Sequence, residues 1–146
     1  MKALTHNRPL SLHIAIALLI FLPIAGEAWA EPKLTLSGRY EYRTDAESLE
    51  MLGSLVCFYP SPNSAKSLPH PGSDKRLAWF CFKNEAESKK ILGIPTHQNK
   101  SNCGYSGEAT VHLTAYTTYL GEGDGFDTAL LQSVGNSTKP RILPCQ

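Results

Sequence analysis

Three acidic side chains, Glu122, Asp124 and Asp127, lie within six residues and are separated mainly by glycines. Oxygen ligands on a glycine-rich loop are what a calcium ion needs. The spacing does not fit an EF-hand, and a hairpin turn accounts for Gly and Asp equally well. No metal is expected here, and the segment is better read as a loop that touches a ligand. His112 stands among Thr110, Thr114 and Tyr116 on one parity of a strand-like run. Hydroxyls and an imidazole on one sheet face can hold sugars or peptide groups, and they are equally at home facing water. A hydrolase would need His112 beside Asp124 or Asp127, and no spacing places them together. Gly104-Tyr105-Ser106-Gly107 lacks the spacing of a nucleophile elbow, which also requires a large parallel sheet. A non-enzymatic protein is therefore expected, with no cofactor.

Aromatic residues are the other chemical resource. Tyr40, Tyr42, Phe58, Tyr59, Trp79, Phe80 and Phe82 could stack sugar rings or bases. A small domain also needs such residues as core. Trp79 and Phe80 fall on opposite parities, so one of them is expected outside the core. Tyr42 and Trp79 are the ligand-binding candidates of this group. Together with His112, Tyr116, Glu122, Asp124 and Asp127 they form the candidate site.

Four cysteines, Cys57, Cys81, Cys103 and Cys145, contain no CxxC pair. That spacing disfavours a zinc knuckle or a thioredoxin-like centre. An even number suggests two disulfides, with three pairings open. Cys57–Cys81 with Cys103–Cys145 is slightly preferred, because the first two fall in successive strand candidates. Cys145 would then pin the tail.

The compartment follows from the first 30 residues. Lys2 and Arg8 precede an apolar run, and Ala28-Trp29-Ala30 has the small residues a signal peptidase reads. Ile14 to Ala25 is only 12 residues, short of the ~20 that span a bilayer. Cleavage after Ala30 is expected, leaving a periplasmic or secreted chain with no stable membrane insertion. Lys2, Arg8 and Glu27 leave with the leader, so 12 basic residues face 12 acidic ones in the remaining 116. Neutrality argues against nucleic acid as a partner. A length of 116 suits one small domain. We place it at residues 31–134, with a tail at 135–146.

The elements that must position these residues follow from pattern. Leu34 to Arg43 alternates as a half-buried strand, with Gly38 on the apolar parity where a bend or bulge fits. Thr44 to Glu50 is a helical turn or loop. Leu52 to Tyr59 and Arg76 to Lys83 are strands, joined by a Pro- and Ser-rich loop at Ser61–Lys75. Glu85 to Leu92 is a short helix, capped by Asn84 and ended by Gly93 and Pro95. Ala86 and Ile91 are its core candidates. Thr96 to Gly107 is a polar connection. Glu108 to Leu120 and Phe126 to Val134 are strands flanking the Gly121–Gly125 turn.

This order is strand, strand, strand, helix, strand, strand. It resembles, in element order alone, the five-stranded Greek-key barrel of the oligonucleotide/oligosaccharide-binding type. A mainly β fold with one short helix and a barrel of this kind is the favoured expectation. A curled open sheet is the alternative. The leading functional expectation is an exported protein that binds a protein or cell-envelope component. It would present the Ser61–Lys75 and Gly121–Asp127 loops from a rigid scaffold. An inhibitor of a secreted hydrolase is one version. A glycan or small-ligand module is second, and a small hydrolase third.

Overall fold

A computed structural model describes residues 32–69, 74, 76–96 and 101–145. The expected leader at 1–30 lies outside them, as do parts of the Ser61–Lys75 loop and of the Thr96 to Gly107 connection. The chain runs β1 (Leu34–Arg43), α1 (Ala46–Leu52), β2 (Val56–Pro60), α2 (Pro62–Ala65), β3 (Phe80–Phe82) and α3 (Glu85–Ile91). It continues as β4 (Asn102–Thr117), β5 (Asp127–Ser137) and β6 (Arg141–Pro144). It is mainly β, as expected.

Five strands close a ring in the order β1-β2-β3-β5-β4, with β4 returning to β1. All ring pairings are antiparallel except β3 with β5. This barrel-like ring matches the arrangement that the element order implies. The sixth strand was not anticipated. β6 adds to the N-terminal part of β4, within the segment expected to be a tail pinned by Cys145. Among the described residues there are three helices rather than one, α1 lying where Thr44 to Glu50 reads as a helical turn or loop. Asp45 caps α1 by accepting the Ser48 N–H at 3.0 Å, and Ser61 caps α2, inside the predicted loop.

β1 is the closing strand. It pairs with β4 along its whole length and with β2 from Gly38 onward. A side chain at Gly38 would meet the Tyr59 carbonyl oxygen at 2.3 Å, so only glycine lets β1 lie this close to β2. The alternation of β1 is realised. Leu36, Tyr40 and Tyr42 turn inward to meet Phe58, Phe80, Phe82, Val111, Leu113 and Leu131. Phe58 lies 5.5 Å from Phe80 and 6.2 Å from Phe82 between ring centroids.

Both preferred disulfides are present, Cys57–Cys81 and Cys103–Cys145. The first joins residues directly opposite each other on β2 and β3. The second holds β6 to the start of β4. Two disulfides indicate an oxidising, extracellular-type compartment. Among the described residues no helix is long and apolar enough to cross a membrane.

Helix α3 closes one end of the core. Its C-terminus bonds back through Ile94 N–H to Lys89 C=O and Gly93 N–H to Lys90 C=O, with Leu92 and Ile94 buried. Ala86 is exposed, contrary to expectation, while Ile91 packs on the core. Asn84 makes no side-chain cap bond. Its amide instead donates to Leu131 C=O at 2.8 Å and accepts from Leu131 N–H at 3.0 Å. One side chain thus satisfies both backbone groups of a β5 residue, where they outrank the helix end. Asn84→Ala leaves that pair unsatisfied and should lower unfolding free energy by about 1–3 kcal/mol in a urea titration. A loss within experimental error would refute this role.

Candidate functional site

Tyr116 does not share the face of His112. Ala115 has φ +50° and sits where the β4–β5 register shifts between Thr114 and Thr117. One irregularity in a strand reverses the alternation beyond it. Tyr116 therefore turns toward the core, edge-on to Phe80 at 5.5 Å. Its hydroxyl donates to Asp127 Oδ2. His112 stays on the outer face, 2.9 Å from Thr35 Oγ1. Ser37 and Thr110 pair beside it at 2.9 Å, so this face is a hydroxyl ladder.

Asp127 is buried at the first position of β5. Its Oδ1 accepts the Tyr119 N–H at 2.8 Å and lies 3.7 Å from Arg76 Nη2. Arg76 is also bound by Asp74 at 2.7 Å, and it donates to the Tyr119 carbonyl at 3.1 Å. Thr118 Oγ1 donates to Pro69 C=O at 3.0 Å. These contacts fasten Pro69 and Arg76 to the β4–β5 connection. The two loops expected to be presented together therefore meet at one end of the ring. His112 and Asp127 are not brought into contact.

The Gly-rich turn is built around Tyr119. The Tyr119 hydroxyl donates to the Glu122 carbonyl at 2.9 Å. A side chain at Gly121 or Gly125 would fall 2.6 Å or 2.2 Å from atoms of its phenol ring. Glycines here make room for a ring. Glu122 and Asp124 are exposed on the turn. Among the described residues, no cluster of His, Cys, Asp or Glu could hold a metal ion.

Tyr42 is in the core, its ring facing the Lys89 ammonium at 4.2 Å, and is unavailable as a stacking platform. Trp79 is half-buried on the outer side, stacked on Tyr59 at 6.0 Å and tilted against Phe126 at 5.5 Å. The Arg39 guanidinium lies over Tyr59 at 5.2 Å. An outer row Arg39–Tyr59–Trp79–Phe126 results, while Phe58, Phe80 and Phe82 fill the inside. Trp79 and Phe80 do divide between the two sides.

Sequence reasoning missed Arg76, Leu77 and Leu120. Leu77 is 89% exposed and Leu120 78% exposed. They follow directly on Arg76 and Tyr119, the two residues joined by the hydrogen bond between the loops. The density of apolar residues at 77–82 had suggested a strand from Arg76, whereas β3 begins only at Phe80. No protein-family model, curated protein or solved structure matches the chain.

Two outcomes test this site. Asp127→Asn weakens acceptance from Tyr116 and Tyr119, and should cost about 2–4 kcal/mol in denaturant unfolding. It should also speed amide exchange in the 118–126 connection; unchanged stability would remove Asp127 from its anchoring role. Burial, with the Asp127 hydrogen bond next, pushes the Tyr116 phenol far above its ordinary pKa of 10.0. Burial also raises Tyr40 and Tyr59. A raised folded pKa keeps the neutral phenol, so this stability is complete below the unfolded pKa and lost as pH rises above it. Thermal midpoints should not respond to these phenols near neutrality and should fall above about pH 10. In Tyr116→Phe the alkaline fall should be shallower, and an identical profile would exclude Tyr116.

Proposed function

We propose that this is an exported, periplasmic or secreted, non-enzymatic protein that binds a protein partner through the end where its two long loops meet. The observation that carries the reading is the pair of almost fully exposed leucines, Leu77 and Leu120, flanking the Arg76–Tyr119 hydrogen bond. Large apolar side chains held on fastened loops suit insertion into an apolar cleft of another protein. Fastening lowers the ordering cost of association, because the backbone beneath the leucines is already bonded. A secreted hydrolase offers such a cleft, and inhibition of one is the concrete form of this function. The exposed Arg76 guanidinium would lie near the rim, where it would steer encounter more than hold the complex.

Capture from an envelope or secretome extract tests this with two baits, the oxidised wild type and Leu77→Glu/Leu120→Glu. Wild type should retain one stoichiometric partner, and the variant should lose it while keeping its thermal midpoint. Two buried anchors of this kind carry about 2–4 kcal/mol, or a 30- to 1,000-fold loss of affinity. A partner retained equally by both baits, or none retained by the folded wild type, counts against the reading.

A further inference from the structure

A second feature lies away from the leucines. A cleft of about 580 Å³ opens on the outer side of the ring beside Gly38 of β1. Strand order places Ser37 and Arg39 of β1 beside Glu108 and Thr110 of β4. Tyr59 of β2 flanks them on one side, and Ser137 at the end of β5 flanks them on the other. The volume falls within the ~300–1,000 Å³ of small-ligand sites. Its lining residues are rich in hydroxyls and include one aromatic ring and one charge of each sign.

We infer that this cleft binds an uncharged saccharide. Three features set the class. The hydroxyls of Ser37, Thr110 and Ser137 each combine one donor with two acceptor positions, as sugar hydroxyls do. Ser37 and Thr110 are held by their mutual bond, which uses only part of that capacity. Tyr59 supplies apolar ring surface at the cleft wall, held by Trp79, which stacks on it, and by the Arg39 guanidinium, which lies over its ring. Charge is balanced across the cleft. Arg39 already meets Glu41 at 2.7 Å, and Glu108 sits opposite it in the β1–β4 register. A phosphate or uronate would face Glu108 and compete with Glu41 for the guanidinium. A neutral polyol accepts from Arg39 and donates to Glu108 with no such conflict. The Arg39 side chain is set in place before any ligand arrives, which limits the ordering cost.

Calorimetric titration of the oxidised protein tests the site with chito-, malto- and cello-oligosaccharides, and with oligogalacturonate and inorganic phosphate as charged probes. At least one neutral series should bind saturably, and the charged probes should not. Tyr59→Leu keeps apolar bulk but loses the ring, and should weaken binding about tenfold. Because Tyr59 is half-buried, Glu108→Gln at an exposed position provides a second variant that leaves the core untouched. It should weaken binding several-fold. The Leu77→Glu/Leu120→Glu protein should bind saccharide as wild type does, which separates this site from the loop end. No saturable binding of any neutral series, preference for the charged probes, or full affinity in both cleft variants would overturn the inference.

Discussion

Everything in this fold depends on β1 being paired along both edges. A sheet of this size cannot leave its first and last strands open without exposing backbone donors and acceptors to other chains. Pairing β1 with β2 and with β4 closes five strands into a ring and leaves β6 as the outlying strand. The constraint falls on local geometry, because β1 must lie close to both neighbours. Gly38 permits the close approach to β2, and the cleft on the outer side lies beside it. The ring and the cleft thus meet at one glycine.

The opposite end of the ring is organised by a buried carboxylate. Asp127 collects a phenol and a backbone amide from the end of β4 and the connection after it, and a guanidinium from the segment before β3. A buried carboxylate demands such partners, since its desolvation is otherwise unfavourable by several kcal/mol. What looked like ligand chemistry in the sequence is therefore largely architecture. Glu122-Gly-Asp124-Gly wraps Tyr119, and Asp127 ties the wrap to the barrel. The surface features that resulted, Leu77 and Leu120, are positioned by this knot without taking part in it.

How much of this was legible depended on whether burial was one-sided. β1 and the early part of β4 alternate because one face meets the core and the other does not, and both were readable. The pairing of cysteines was readable only as a preference. Leu52 was drawn into a strand by its apolar neighbours, although Asp45 and Gly53 bound a helix that contains it. The start of β4 at Asn102 was invisible, since Asn, Gly and Ser carry no strand preference and the pairing there comes from β6 and, from Gly104 on, β1. β6 has four residues bounded by prolines, and only the disulfide and β4 give it a place. The inversion at Ala115 could not be read at all. A β-strand with one inserted irregularity has the same composition as one without, and Tyr116 changes sides with no local signal.

Closure through β1 also sets an order in time. Leu34 lies opposite Leu113, 79 positions further along the chain. A chain that emerges amino end first makes its closing strand before the strand that will cover it. β2 can dock on one edge early, and the Cys57–Cys81 bond can secure the hairpin-like pair β2–β3. The other edge of β1 must wait until most of the chain has followed. Long-range pairing of this sort slows folding, and the waiting edge is open to capture by other strands. The protein most exposed to misassembly is thus the half-made one, and its need for a chaperone or for dilution is greatest just before the fourth strand arrives.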